Sequence, residues 1–340
     1  MRQLGIACAA PLILTVFLWP AAVGHVPGFS GDKHGFDEAI PVDDPAKSWA
    51  FYGELHEEME AQYYRLDVGA GDRIYLEVLV STDPSQEGFV PDAVLMGPGL
   101  DAEGTPPEYV YVPDGYTTVL IQGAMPAKAT YEGFSPSSFY SVAHLELAAP
   151  RNGTYFVAVY GTSSGGRYSL VVGYRESFSL SEWVLVPISL ISVYRWEGQG
   201  IPLILAPMIL AVAVGGAVVV LNLRSARTWS VFRVVATVAG LMFIGSGMTT
   251  IMQMLITVMR THLAAEAVIT VLLAAIPILL GIGALRIGLG KWDHAGTGLR
   301  LKLFLVGLLA LFGWAGLIVG PALCMVGGIL PSAAKKRTGI

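Results

Sequence analysis

The chain has 340 residues, 54% of them hydrophobic and only 14% charged, and its mean hydropathy is +0.59. That balance excludes a single water-soluble globular domain. The net charge of −5 conceals a division: residues 25–199 carry 24 acids against 9 bases, whereas residues 200–340 carry only Glu266 and Asp293 against 11 bases, so the acidic part is excluded as a nucleic-acid binder.

Residues 1–24, MRQLGIACAAPLILTVFLWPAAVG, place one early Arg before an apolar core. Ala22 and Gly24 occupy the −3 and −1 positions of a small-x-small cleavage site, which predicts a signal peptide and His25 as the mature N-terminus. An uncleaved anchor is the rival reading, because Leu4–Gly24 is long enough to span a bilayer. Either reading exports the chain from residue 25 onward. Cys8 and Cys324 are the only cysteines, so the exported part is expected to fold on an apolar core without a disulfide.

After an extended segment at 25–46, strand signals follow at short spacing through residue 178. SWAFYGEL (48–55), AQYYRLDV (61–68), RIYLEVLV (73–80) and DAVLMG (92–97) come first, and YVYV (109–112) and TVLIQ (118–122) are shorter. FYSVAHLEL (139–147), TYFVAVYG (154–161) and RYSLVVGY (167–174) close the series. Gly69-Ala-Gly-Asp72, Asn152-Gly153 and Gly161–Gly166 supply the turns. Tyr64, Leu66 and Val68 share one face of their strand, and Tyr63, Arg65 and Asp67 share the other. Period two over many short strands predicts an all-β sandwich or jelly roll.

AQYYRLDVGAGDRIYLEVLV, PDAVLMGPG and NGTYFVAVYGTSSGGRYSLVVGY, taken in this order, resemble the bacterial pre-peptidase C-terminal domain. The resemblance covers roughly residues 47–98 and 139–175, and an insertion at about 99–138 departs from it. It implies a small jelly roll of the kind found as a non-catalytic module on secreted proteins, and hence binding or spacing.

SLSEWVLVPISLISVYRWEGQG (179–200) begins with a capping box, Ser179 and Glu182, and carries Trp183 and Trp196 near its ends. Too short and interrupted to span, 179–199 is expected to be an interfacial helix on the outer leaflet. Within 200–334, four helices are predicted to cross the membrane, at about 201–223, 234–258, 265–285 and 303–327. The inner loops would hold Arg224, Arg227, Arg233, Arg286, Lys291, Arg300 and Lys302, against Arg260 alone in the outer loop. That asymmetry keeps the β domain outside. An even number of spans would export the basic tail at 335–340, which contains Lys335, Lys336 and Arg337, against the same rule. Gly316–Gly320 and Ala211–Gly215 are small-xxx-small patterns suited to close helix packing. No acid or base lies mid-span, which disfavours a proton-driven transporter.

The sequence carries no P-loop, dinucleotide fingerprint, complete zinc-protease motif or nucleophile elbow, and a non-enzyme is expected. The leading expectation is a membrane-anchored protein of the cell envelope, in contact with the lipid bilayer, that binds a cell-surface ligand or other membrane proteins. The alternative is copper binding or uptake. A mature N-terminal His25 would chelate Cu(II), helped by His34, His56 or His144, and Met248 and Met252 would offer thioethers to Cu(I). That methionine spacing resembles the membrane methionines of eukaryotic high-affinity copper transporters, while Met as a helix filler and His as a surface group is the competing account. Asp83, Glu87 and Asp92, or Asp101 and Glu103, are candidate ligands for structural calcium. Asn152-Gly153-Thr154 is an N-glycosylation sequon, and Asn-Gly is equally a turn former.

Overall fold

The computed structural model describes residues 24–161, 164–223, 230–292 and 295–330. The expected signal peptide up to residue 23, and the basic tail, lie outside them. Eleven strands among the described residues make two mixed sheets. The six-stranded sheet runs β1 (Val26–Phe29), β3 (Trp49–Leu55), β11 (Gly166–Val172), β5 (Arg73–Ser81), β9 (Ser137–Ala148), β8 (Thr130–Glu132). The five-stranded sheet runs β2 (Ile40–Pro41), β4 (Ala61–Val68), β10 (Gly153–Tyr160), β6 (Asp92–Gly97), β7 (Thr117–Ile121).

The expected alternation decides which side chains are buried between the sheets. Tyr64, Leu66 and Val68 of β4 enter the shared core with Phe51, Leu55, Val78, Val80, Tyr168 and Leu170 of the facing sheet. Removing this apolar area from water is the main drive for the two sheets to pack. The extended segment 25–46 supplies β1 and β2, two short strands that pair in parallel with β3 and β4. The expected strand at 109–112 is a loop instead. Pro106, Pro107 and Pro113 remove ladder donors around it, and the Tyr111 N–H donates to Tyr63 Oη at 2.8 Å. This part of the insertion folds over the outer face of the five-stranded sheet, where Val110 is buried beside Tyr63, Met96 and Tyr160.

Helix α1 (Leu180–Trp196) forms the expected capping box in full, with the Ser179 side chain and the Glu182 carboxylate each bonded to the other's backbone N–H. Among the described residues three helices are long and apolar enough to cross a membrane, the mark of a multi-pass membrane protein: α2 (Ile201–Leu223), α3 (Val231–Arg260) and α4 (Ala267–Leu289). Ala211 and Gly215 pack on α3 at Gly245 and Leu241.

The fourth expected span is corrected. Residues 303–327 do not form one helix; they lie in α5 (Thr297–Phe312), a turn, and α6 (Val319–Ile329). Trp314, Gly316 and Leu317 take positive φ at the turn, and the chain doubles back. Gly307 packs on Cys324 and the Pro321 carbonyl, and Gly328 packs on Phe304 and the Arg300 carbonyl. Leu330 therefore leaves the hairpin at the end where Arg300 enters it. The turn leans on α3, where Gly316 N–H donates to Ser246 Oγ at 2.9 Å and Gly316 and Gly320 flank the Phe243 ring. Such bonds satisfy backbone groups that hydrocarbon cannot.

Candidate functional site

Two surfaces of the sandwich have different fates. The outer face of the six-stranded sheet, with Ala50, Tyr52, Leu79, Phe139 and Val171, is turned toward α1 and the bundle. Trp196 Nε1 donates to the Tyr168 carbonyl at 3.0 Å, and its ring meets Tyr52 edge-on at 5.1 Å. Lys47 Nζ bridges to Glu182 at 2.6 and 2.7 Å, tying the segment just before β3 to the start of α1. Helix α1 is thus covered by the sheet along Val186, Val193 and Trp196, while Leu180, Leu185 and Ile188 on it stay exposed.

The joint with the bundle is polar and buried. Gln199 and Gln253 exchange side-chain amide bonds at 2.7 and 2.8 Å. Arg260 Nη1 donates to the Glu197 carbonyl at 3.3 Å and lies 3.8 Å from its carboxylate. Gly198, at φ +88°, leaves no room for a Cβ beside Asp83, whose carboxylate pairs with Arg167. At the other edge, Tyr131 Oη donates to Thr270 Oγ1 at 2.8 Å, and Thr270 Oγ1 donates to the Gly133 carbonyl at 2.6 Å. Phe134, Phe178, Trp183 and Trp314 close this edge as an aromatic cluster, with Trp183 and Trp314 centroids 4.6 Å apart. Trp183 Nε1 donates to the Phe312 carbonyl at 3.0 Å, and Trp314 Nε1 donates to the Trp183 carbonyl at 2.8 Å.

Two carboxyls of this joint titrate high. Burial pushes Glu197 up to about 8 despite Arg260, and burial with Glu176 and Glu266 nearby pushes Glu132 up to about 7. A group whose pKa is higher docked than undocked favours docking while it is protonated. The cost of ionisation grows from about pH 4.5, the carboxyl's ordinary value, and levels off above about pH 8 for Glu197. Protease cleavage at residues 197–200 is therefore expected to be faster at pH 9 than at pH 6, and Glu197→Gln should flatten the difference. Equal rates at both pH values in the parent protein would contradict this assignment.

The opposite face, on the five-stranded sheet, carries an aromatic cluster. Phe36 lies 4.7 Å from Phe156, 4.8 Å from Tyr111 and 5.4 Å from Tyr63, and Tyr116 lies 6.0 Å from Phe156. Tyr111 is 55% exposed. Nothing in the sequence marked these residues as a group, because they come from four separate segments.

The copper ligands expected from the sequence do not all lie together. His25 Nδ1 is held by Ser48 Oγ at 2.6 Å, and burial lowers its pKa despite Glu77. Ser48 and His56 flank β3, so eight residues of extended chain, about 26 Å, separate the two sites. His144 is exposed on β9 opposite Glu77, with its ring 5.1 Å from Tyr75. Met248 is 43% exposed on the outside of α3, and Met252 is half-buried. His34 and His56 do meet, with ring centroids 5.5 Å apart, and Asp32 joins them.

Two of the five acids expected to hold calcium have engaged carboxylates: Asp83 with Arg167 and the Ser85 N–H, and Asp92 with the Gly123 N–H. Glu103 pairs through its backbone with β7. Glu87 and Asp101 are exposed. Asn152 Oδ1 accepts from the Ala70 N–H at 2.5 Å, so the sequon asparagine works as a turn clamp. No protein-family model matches the chain, and no curated protein matches it.

Proposed function

We propose that the protein is a non-catalytic, membrane-anchored binding protein of the cell envelope. Its sandwich stands outside the membrane and presents the aromatic face of the five-stranded sheet to a cell-surface ligand or partner protein. One observation carries this reading: the six-stranded sheet is spent on α1 and the bundle, which leaves the Phe36–Tyr111–Tyr116–Phe156 face turned away from it. Exposed Tyr and Phe that bury large rigid area at little conformational cost are common anchors of protein interfaces.

The charge distribution supports the orientation. Arg233 donates to the Gly290 and Trp292 carbonyls at the bundle end away from the sandwich, and Arg286, Lys291, Arg300 and Lys302 follow at that end in the chain. Bases concentrate on the inner side of membrane proteins. With three spans and a hairpin that enters and leaves on the same side, the chain reaches Leu330 on the side of the basic loops, which accords with the charge rule as four spans do not. The jelly-roll likeness to pre-peptidase C-terminal domains belongs to the same reading, as does a cleaved signal peptide.

A photo-reactive residue at Tyr111, activated on intact cells, is expected to cross-link one dominant species. Phe36→Ala should reduce that product at least fivefold. Absence of any product, or a product that Phe36→Ala leaves unchanged, would refute the assigned face.

A further inference from the structure

Asp32 and His34 sit on the short loop after β1, and His56 and Glu60 bound the turn between β3 and β4. The first loop is fixed from beneath. Gln62 Nε2, fully buried, donates to the carbonyls of Gly31 at 3.0 Å and Lys33 at 2.9 Å. Gln62 Oε1 in turn accepts from the hydroxyl of Tyr168 at 2.5 Å, and Tyr64 links Tyr168 to Ser30. The second loop is fixed by Glu60, whose Oε2 accepts from the His56 N–H at 2.5 Å and the Glu57 N–H at 3.3 Å. Met59 in that turn takes φ +60°, a conformation that costs a side-chain-bearing residue free energy.

Asp32 Oδ1 faces His56 Nε2 at 2.8 Å and His34 Nε2 at 3.2 Å. His34 Nδ1, buried, faces Glu60 Oε1 at 3.1 Å. A cation bound at His34 Nε2 would leave Nδ1 turned toward the Glu60 carboxylate, as in the carboxylate–histidine–metal arrangement that fixes tautomer and ring.

The ligand atoms of Asp32, His34 and His56 lie within 4.8 Å of one another. Tetrahedral coordination at Zn–N and Zn–O lengths near 2.0–2.1 Å places ligand atoms about 3.3 Å apart, close to the two His–Asp separations. Two imidazoles and a carboxylate, without sulfur, suit a borderline divalent ion and not Cu(I).

We propose that Asp32, His34 and His56 form a Zn²⁺-class divalent metal site, with Glu60 as the carboxylate that orients His34. The site leaves a fourth position for water or a ligand atom. It is independent of the aromatic face and of the expected His25 chelate.

The test is titration of the metal-stripped full chain in detergent with Zn²⁺ against a chromophoric competitor. One equivalent should bind per chain. His56→Ala and Asp32→Asn should each weaken it by more than about 100-fold, and Glu60→Gln by about 10–100-fold. Asp32 is chosen because its side chain is 81% exposed, so its loss leaves the fold standing. His25→Ala and His144→Ala should bind as the parent does, and Ca²⁺ should not displace Zn²⁺. Absence of a Zn²⁺ equivalent, or equal affinity in Asp32→Asn and His56→Ala, would overturn the proposal.

Discussion

Gln253→Leu should release the sandwich from the bundle, at a cost of about 2–6 kcal/mol. The estimate rests on the reciprocal amide pair with Gln199, both residues being buried. Leucine keeps most of the volume but strands one donor and one acceptor of Gln199, and each unmet buried group costs about 1–3 kcal/mol. The same reasoning predicts that Gln199→Met combined with Gln253→Leu recovers most of the loss, because neither amide then remains to be left unpaired and the Glu197 carboxylate gives up only a long 3.5 Å bond from Gln199. Hydrogen exchange across residues 197–200 in detergent or nanodiscs reads the effect. Faster exchange in the single variant than in the double variant is expected, whereas equal exchange in both would show that the pair does not hold the joint.

Gly281→Leu should have an effect of comparable size, preventing α3 and α4 from packing. A Cβ at Gly281 would lie 2.6 Å from the Gly240 carbonyl oxygen and 2.7 Å from Ile244 Cγ1. Backbone on a facing helix cannot rotate aside as a side chain can, so the helices must part along their whole contact. Without a hydrophobic drive between helices in lipid, close van der Waals packing is what such a pair stands to lose. Overpacking in a dense contact costs about 1–3 kcal/mol or more, and the upper end applies here. Gly283, two residues on, has nothing within 4 Å of its Cβ direction and provides the control. Thermal unfolding of the purified protein should show a large loss for Gly281→Leu and little change for Gly283→Leu. Similar losses in both would mean that helix propensity, not the close approach, governs the site.

Much of this architecture was legible in the residues. The alternation of Tyr64, Leu66 and Val68 against Tyr63 and Arg65 placed β4 correctly, and Ser179 with Glu182 marked the start of α1. Period two and a capping box are local signals, carried by neighbours in the chain. The misses depend on distant partners. β1 and β2 are four and two residues long, and pair in parallel with strands that follow them at some distance in the chain. The turn at 313–318 escaped notice because two of its three positive-φ positions hold Trp314 and Leu317, and the third, Gly316, reads equally as a small packing residue of a span. In sequence Trp314 and Leu317 read as two more apolar residues of a span. The metal cluster is of the same kind: His34 and His56 are 22 positions apart, and only the pairing of β1 with β3 and the β3–β4 turn bring them together.

The side on which each end of the molecule lies is the claim that everything functional depends on, and single-cysteine labelling in intact cells tests it most directly. With Cys8→Ser and Cys324→Ser as background, a membrane-impermeant maleimide should modify Tyr111→Cys on intact cells. The same reagent should reach Leu330→Cys and Gly296→Cys only after the cells are opened. Labelling of Leu330→Cys from outside would restore a fourth crossing and contradict the hairpin, and protection of Tyr111→Cys in intact cells would contradict the outward sandwich.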